Sequence, residues 1–175
     1  MKHLLLICSL LLAFNSSIVG QQSVKKFYNK YKHGENVTSV KLQGWMIKSV
    51  LSFTESFEGE DIIRKVSKLT VLTIEDGQTV SDTDIKRLVT NAKSETYEDL
   101  MIIREGTTRV RFMIKENEQK IKNLLVIIKD TEEFILIDLD CNLKWEDLKN
   151  IDFSNIDGGD VFDKIPSKKE EIPRA

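Results

Sequence analysis

Oxygen-bearing side chains alternate along Asp138-Leu139-Asp140-Cys141-Asn142, as they do at the start of a calcium-binding loop. The residues that follow do not continue such a loop. Leu143 stands where the tight turn needs glycine, and Lys149 stands where the loop needs a bidentate glutamate. We therefore interpret Asp140 and Asn142 as a strand-end residue and a helix-cap residue, and the sequence predicts no metal site and no cofactor.

Histidine and cysteine are scarce once the first twenty residues are set aside. His33 is then the only histidine and Cys141 the only cysteine, and no serine lies in a G-x-S-x-G turn. We interpret His33 as a cation near a helix C-terminus and Cys141 as a small buried residue at a strand end. Carboxylates are plentiful, but no pair of them is marked out. A carboxylate-based hydrolase is therefore the weakest of our functional hypotheses.

Residues 1–20 have the features of a secretory signal peptide. Lys2 precedes an apolar run from Leu4 to Phe14 that contains one polar residue, Ser9, and mostly small and polar residues follow up to Gly20. The run is too short to span roughly 30 Å of hydrocarbon. Cys8 lies inside the run, so it is not placed for lipid attachment. We expect cleavage after Gly20 and a periplasmic or secreted protein with no transmembrane helix.

The remaining chain has the size of one domain. Residues 21–175 keep all 28 acidic and 25 of the 26 basic residues, a net charge of −3 that gives no indication of nucleic-acid binding. Both prolines, Pro166 and Pro173, lie near the C-terminus in a polar segment. We expect a single domain over residues 21–155 and a polar, disordered tail over residues 156–175.

The first half of this domain contains the helix signals. Apolar residues recur at helical spacing over Val24–Tyr31 and Gly44–Phe53, and Glu60–Lys68 is also expected to be helical, followed by a strand at Leu69–Ile74. The strongest helix signal spans Asp82–Lys93, which begins after the N-cap candidate Ser81.

From Tyr97 to Asp140 the apolar pattern has a period of two, which predicts consecutive β-hairpins. A type II′ turn at Gly106-Thr107 pairs Ile103 with Val110, Met101 with Phe112 and Glu98 with Lys115. A turn at Thr131-Glu132 pairs Ile128 with Ile135, Val126 with Ile137 and Leu124 with Leu139. Asn142 then caps a last short helix. The fold class we expect is α+β, an antiparallel β-meander sheet with helices packed mainly on one face.

The other face of this sheet is unusual because about half of its residues are apolar, although a sheet face in contact with water should be polar. Our candidate binding residues lie there: Leu100, Ile102, Arg104, Arg109, Arg111, Leu125, Ile127 and Leu136. A helix of the same chain or the segment Val161–Ile165 would explain the pattern most simply. The alternative is a partner protein, a second copy of the chain or an apolar ligand, with the three arginines as a polar rim.

Three segments resemble a known family: Phe27-Tyr28-Asn29-Lys30-Tyr31, Tyr97-Glu98-Asp99-Leu100-Met101, and Phe134-Ile135-Leu136-Ile137-Asp138-Leu139 with the short helix after it. They are similar to the exported bacterial proteins catalogued as domain of unknown function four-two-five-two, over about Val24 to Ile151. The resemblance implies a single domain in the envelope of a Gram-negative bacterium. It implies no catalytic or binding residue.

Three functions are open at this point. The favoured hypothesis is a non-enzymatic envelope protein that binds a partner protein or itself through the semi-apolar sheet face. The alternative is a carrier of a small apolar or amphipathic ligand held between sheet and helices. The carboxylate-based hydrolase comes third.

Overall fold

The computed structural model describes residues 22–51 and 60–148. The expected signal segment 1–20, the tail 156–175, Lys149 and the segment Val161–Ile165 lie outside the described residues.

Five α-helices, one short 3-10 helix (Gly77–Thr79) and six strands occur in the described residues. The helices are α1 (Gln22–Tyr31), α2 (Gly44–Leu51), α3 (Glu60–Ile63), α4 (Asp82–Ser94) and α5 (Trp145–Leu148). The strands are β1 (Val37–Gln43), β2 (Val66–Ile74), β3 (Glu98–Glu105), β4 (Thr108–Asn117), β5 (Lys120–Lys129) and β6 (Phe134–Leu143). None of these helices combines the length and the apolar composition that a membrane crossing requires.

The six strands form one sheet in the order β1-β2-β6-β5-β4-β3, and every neighbouring pair is antiparallel. The last four strands form an uninterrupted meander, while β2 pairs with β6 and places the β1–β2 hairpin at the far edge. This confirms the expected α+β class with an antiparallel meander.

We call the face of the sheet that bears α1 and α4 the helical face. Apolar packing covers most of it. Alternation along the strands sends one set of side chains to this face, and the amphipathic stripes of the two helices cover them. Phe27 of α1 packs against Phe134 of β6, with ring centroids 5.3 Å apart. The fully buried strand residues of this layer are Leu72, Ile74, Met113, Leu125, Phe134 and Leu136.

Polar contacts fix α1 and α4 against each other at both ends. At one end, the backbone N–H and the hydroxyl of Ser23 donate to the buried carboxylate of Glu95, at 2.8 and 3.0 Å. At the other end, Lys30 and the Tyr31 hydroxyl donate to Asp84, at 2.6 and 2.7 Å. These hydrogen bonds hold the pKa of the Asp84 carboxyl well below its usual range. The two helices therefore run antiparallel across the sheet.

A second apolar layer occupies the opposite face of the sheet. Phe112, Leu124 and Val126 are almost completely buried there, and Ile62 of α3 belongs to the same cluster. Trp145 and Leu148 of α5 join it immediately after β6 ends. The sheet is therefore apolar on both faces.

The hairpin registers expected from the sequence are largely confirmed. Ile103 faces Val110 and Met101 faces Phe112, and the second hairpin pairs Ile128 with Ile135. Gly106 has φ 55° and Thr107 has a negative φ, as a type II′ turn requires.

Three local expectations are wrong. Glu98 faces Ile114 rather than Lys115, because a β-bulge between Asp99 and Met101 inserts an extra residue into β3. Helix α3 ends at Ile63, and Val66–Lys68 already belong to β2, since pairing with β6 prevails over the helical pattern. Asn142 is a residue of β6 rather than a cap, and its N–H donates to the Lys65 carbonyl.

The turn between β4 and β5 carries backbone strain. Glu118 and Gln119 have φ of 51° and 59°, which defines a two-residue turn with both residues in the left-handed region. Neither residue is of the Asn or Gly type that tolerates this conformation.

Replacing Glu118-Gln119 by Asn-Gly should raise the free energy of unfolding by about 1 kcal/mol or more, because the strain is removed. Urea denaturation monitored by circular dichroism would measure this. Thr107→Gly is the matched control, since Thr107 has a negative φ and glycine there should not stabilise. Equal stabilisation by both changes would show that the left-handed strain at residues 118 and 119 is not the cause.

Candidate functional site

A groove opens where α4 leaves the edge of the sheet uncovered. It lies between α4 and strands β3, β4 and β5 and has a volume of about 500 Å³. Pockets of this size hold small organic ligands. The lining residues are Asp82, Ile85, Lys86, Val89, Thr90, Ile102, Arg104, Arg109, Val110, Arg111, Ile127 and Lys129. We call this the arginine groove.

Helix α4 provides one wall of the groove. The Ser81 hydroxyl accepts a hydrogen bond from the Asp84 N–H at 3.1 Å, so the expected N-cap is confirmed. Capping fixes the residue at which the helix begins. Ile85 and Val89 lie one turn apart on the face of this helix that points toward the sheet. Both side chains pack at the margin of the helical-face core and also line the groove. The wall is therefore apolar at its base.

The sheet provides the other wall, where basic and apolar residues alternate. Cross-strand pairing sets Ile102 beside Arg111, and Arg111 beside Ile127, in one row. The next row toward the hairpin turn is Arg104, Arg109 and Lys129, each directly opposite its neighbour. The groove consequently combines an apolar base with a strongly basic rim.

Two of these cations have acidic partners within the described chain. The Lys129 ammonium donates to Asp82 at 2.8 Å and to the Val80 carbonyl at 2.7 Å. This hydrogen bond, and to a smaller degree the positive charge of Arg109, lowers the pKa of Asp82. Arg111 donates to Asp99 at 2.7 Å.

The bulge in β3 makes the second of these pairs possible. It turns both Leu100 and Met101 toward the opposite face and leaves Asp99 on the helical face, opposite Met113. Asp99 then contacts Lys93 of α4 at 2.6 Å as well as Arg111. The bulge thus ties the last turn of α4 to the edge of the sheet.

Of the eight predicted binding residues, the structure brings five together in the arginine groove: Ile102, Arg104, Arg109, Arg111 and Ile127. Leu125 and Leu136 lie on the same face but are completely buried in the helical-face core. Leu100 was placed on the wrong face, because the bulge was not anticipated. Ile102 alone among the five apolar candidates is exposed, at 43%.

Sequence reasoning missed the α4 wall. Ile85, Lys86, Val89 and Thr90 of α4 line the groove but are not among the binding residues predicted from the sequence. The width of the apolar stripe on α4 could have indicated this wall. When such a stripe is wider than the strands beneath the helix, its outermost residues have no strand to pack against.

The helical face also buries a carboxylate outside the groove. Asp138 lies between Thr70 and Leu125 in the cross-strand row, and its side chain is 4% exposed. Its Oδ2 is 3.9 Å from the Lys68 ammonium, and its Oδ1 has no hydrogen-bond partner among the described residues. Burial, reinforced by the negative charge of Asp140, raises the pKa of Asp138 to about 7.

The remaining candidates for chemistry have structural surroundings. Asp140 accepts a hydrogen bond from the Asn123 amide at 2.6 Å and pairs with Lys68, and no cluster of potential metal ligands occurs in residues 22–51 and 60–148. Cys141 is buried as expected, and burial raises the pKa of its thiol to about 12. His33 is exposed beyond the end of α1.

Fold and groove together define a helix-covered antiparallel-sheet protein with a small-ligand-sized cavity at one sheet edge. A family model described as domain of unknown function (DUF4252) matches residues 31–151. The chain belongs to this family, as the resemblance in its sequence implied. No curated protein and no solved structure shows significant similarity to the chain.

Replacing Arg104 or Arg109 by glutamine should stabilise the protein in the absence of ligand by several tenths of a kcal/mol, because directly opposed like charges repel. The gain should shrink at high salt. Urea unfolding at low and high ionic strength would measure it. Arg64→Gln, which removes the ion pair with Glu60, is the control and should not stabilise. Loss of stability in both groove variants would contradict the proposed repulsion.

Asp138 should make stability fall as pH rises from about 4 to 7. A carboxyl whose pKa is about 7 in the folded protein and about 3.9 in the unfolded chain binds more protons when folded across that window. The penalty is fully present above pH 7 and amounts to roughly 4 kcal/mol. Asp138→Asn should flatten the pH profile of the free energy of unfolding. Asp61→Asn, at an exposed aspartate, should leave it unchanged, and an unaltered slope in Asp138→Asn would refute the assignment.

Proposed function

We propose that this protein is an exported binding protein that holds a small amphipathic ligand in the arginine groove. The observation that carries the proposal is the groove itself, a cavity of about 500 Å³ with an apolar base and a basic rim. Polar groups placed around an apolar pocket are typical of ligand sites. The export part rests on the signal-peptide features of residues 1–20.

The interface hypothesis loses its main support in this arrangement. It required an exposed, semi-apolar sheet face, but α1 and α4 bury Leu125, Ile127 and Leu136. What remains open of that face is a concave groove rather than a flat surface. A cavity of this volume suits a small molecule better than a protein surface, whose interfaces bury about 800 Å² per partner.

The hydrolase hypothesis gains no support from the groove. Glycosidase chemistry needs two carboxyl groups about 5 to 10 Å apart at the scissile bond. Asp82 is the one carboxylate among the described lining residues, and Lys129 holds it in an ion pair. The groove therefore offers cations and apolar surface, which bind, rather than an acid–base pair.

The test fills the groove from each wall. Ile102→Trp and Thr90→Trp place an indole in the cavity and should abolish the fluorescence enhancement of 1-anilinonaphthalene-8-sulfonate, a probe with apolar rings and one negative charge. Native mass spectrometry of the mature protein should show a bound small molecule that both variants lose.

Val40→Trp is the matched control for these variants. Val40 is 40% exposed on the other edge strand, close to the 43% of Ile102, but does not line the groove. Its variant should bind the probe as the unmodified protein does. If all three variants, each shown to be folded by circular dichroism, bind the probe equally, the groove is not the binding site.

A further inference from the structure

The arginine groove contains two arginines, Arg104 and Arg109, that form no salt bridge with the described residues. Arg104 of β3 lies directly opposite Arg109 of β4, and Arg109 lies directly opposite Lys129 of β5. Side chains in such positions are about 5 Å apart at Cβ, and like charges there are destabilising. Negative charge close to this row of three cations would therefore stabilise it.

The described chain supplies only part of that charge. Lys129 is engaged by Asp82, and Arg111 in the adjacent row is engaged by Asp99. Arg104 and Arg109 form no salt bridge with any residue in the described ranges. The two guanidinium groups therefore remain available at the rim of a cavity.

We propose that the ligand is an oxyanion, a carboxylate or a phosphate, carried on an apolar chain. Its head group lies between the guanidinium groups of Arg104 and Arg109, and its chain lies along the base formed by Ile85, Val89 and Ile127. This assignment rests on the proposed function of the groove and names the chemistry of its ligand. Planar guanidinium forks match the paired oxygens of carboxylates and phosphates.

The apolar base argues against a groove whose main role is to bind a bare anion. Ile85, Val89, Ile102 and Ile127 line the same cavity as the arginines, and an inorganic ion would leave this surface in water. A nucleic acid is disfavoured as well. Such partners need a long basic track, whereas these cations occupy a single cavity in a chain of net charge −2.

The experiment compares ligands that share one chain and differ in head group. Dodecanoate, dodecyl phosphate, dodecanol and inorganic phosphate are each titrated against the mature protein, with displacement of 1-anilinonaphthalene-8-sulfonate and isothermal calorimetry as readouts. We expect both charged amphiphiles to bind at least about tenfold more tightly than dodecanol, because each charge-assisted hydrogen bond is worth about one such factor. Inorganic phosphate should bind weakly or not at all.

Arg104→Gln and Arg109→Gln should each weaken the charged amphiphiles by about tenfold and leave dodecanol unchanged. Arg64→Gln is the control, because Arg64 does not line the groove and pairs with Glu60. Its variant should bind all four compounds as the unmodified protein does. The ratio of dodecanoate to dodecyl phosphate affinity then identifies which oxyanion the two arginines prefer.

The outcomes separate this inference from the proposed function. Equal binding of dodecanol and dodecanoate, unaffected by either arginine change, would refute the oxyanion assignment while leaving an apolar ligand site in place. Absence of binding by all three amphiphiles would overturn both. Tight binding of inorganic phosphate alone would show a simple anion site and would also overturn the amphiphile assignment.

Discussion

Burial of the sheet face that carries Leu125, Phe134 and Leu136 is the constraint on which the rest of the structure depends. Those side chains are completely buried because α1 and α4 lie side by side across them. The two helices are fixed in that position by hydrogen bonds at both ends, from Ser23 to Glu95 and from Tyr31 to Asp84. Since apolar burial has no preferred direction, these polar contacts determine how the helices align over the sheet.

The groove is a consequence of that arrangement. Two helices cover the central strands, and among the described residues Ile102 and Arg104 of the edge strand β3 stay exposed and line the groove beside α4. The bulge at Leu100 keeps the edge attached, because it gives Asp99 access to both Lys93 and Arg111. Arg104 and Arg109 form no salt bridge with the described residues.

Two features of the helical face lower stability in the unliganded protein. Arg104 and Arg109 lie directly opposite each other, and the buried Asp138 has one carboxyl oxygen with no hydrogen-bond partner among the described residues. Residues that reduce stability are commonly retained where a protein binds something. The arginines line a cavity. Asp138 lies away from that cavity, and the structure gives no binding role to it.

The period of the apolar residues determined the element types and most hairpin registers, because alternation and helical spacing are local properties that each segment carries by itself. The family resemblance could also be recognised from the strand and helix patterns. Sequence reasoning identified the sheet-side residues of the groove for the same reason: a sheet face that is half apolar and half basic can be recognised within one meander.

The tertiary structure decided what covers that face. Whether Leu136 or Ile102 meets water depends on where α1 and α4 lie over the sheet. Which face Leu100 joins depends on a bulge in β3, which the alternation of apolar residues does not reveal.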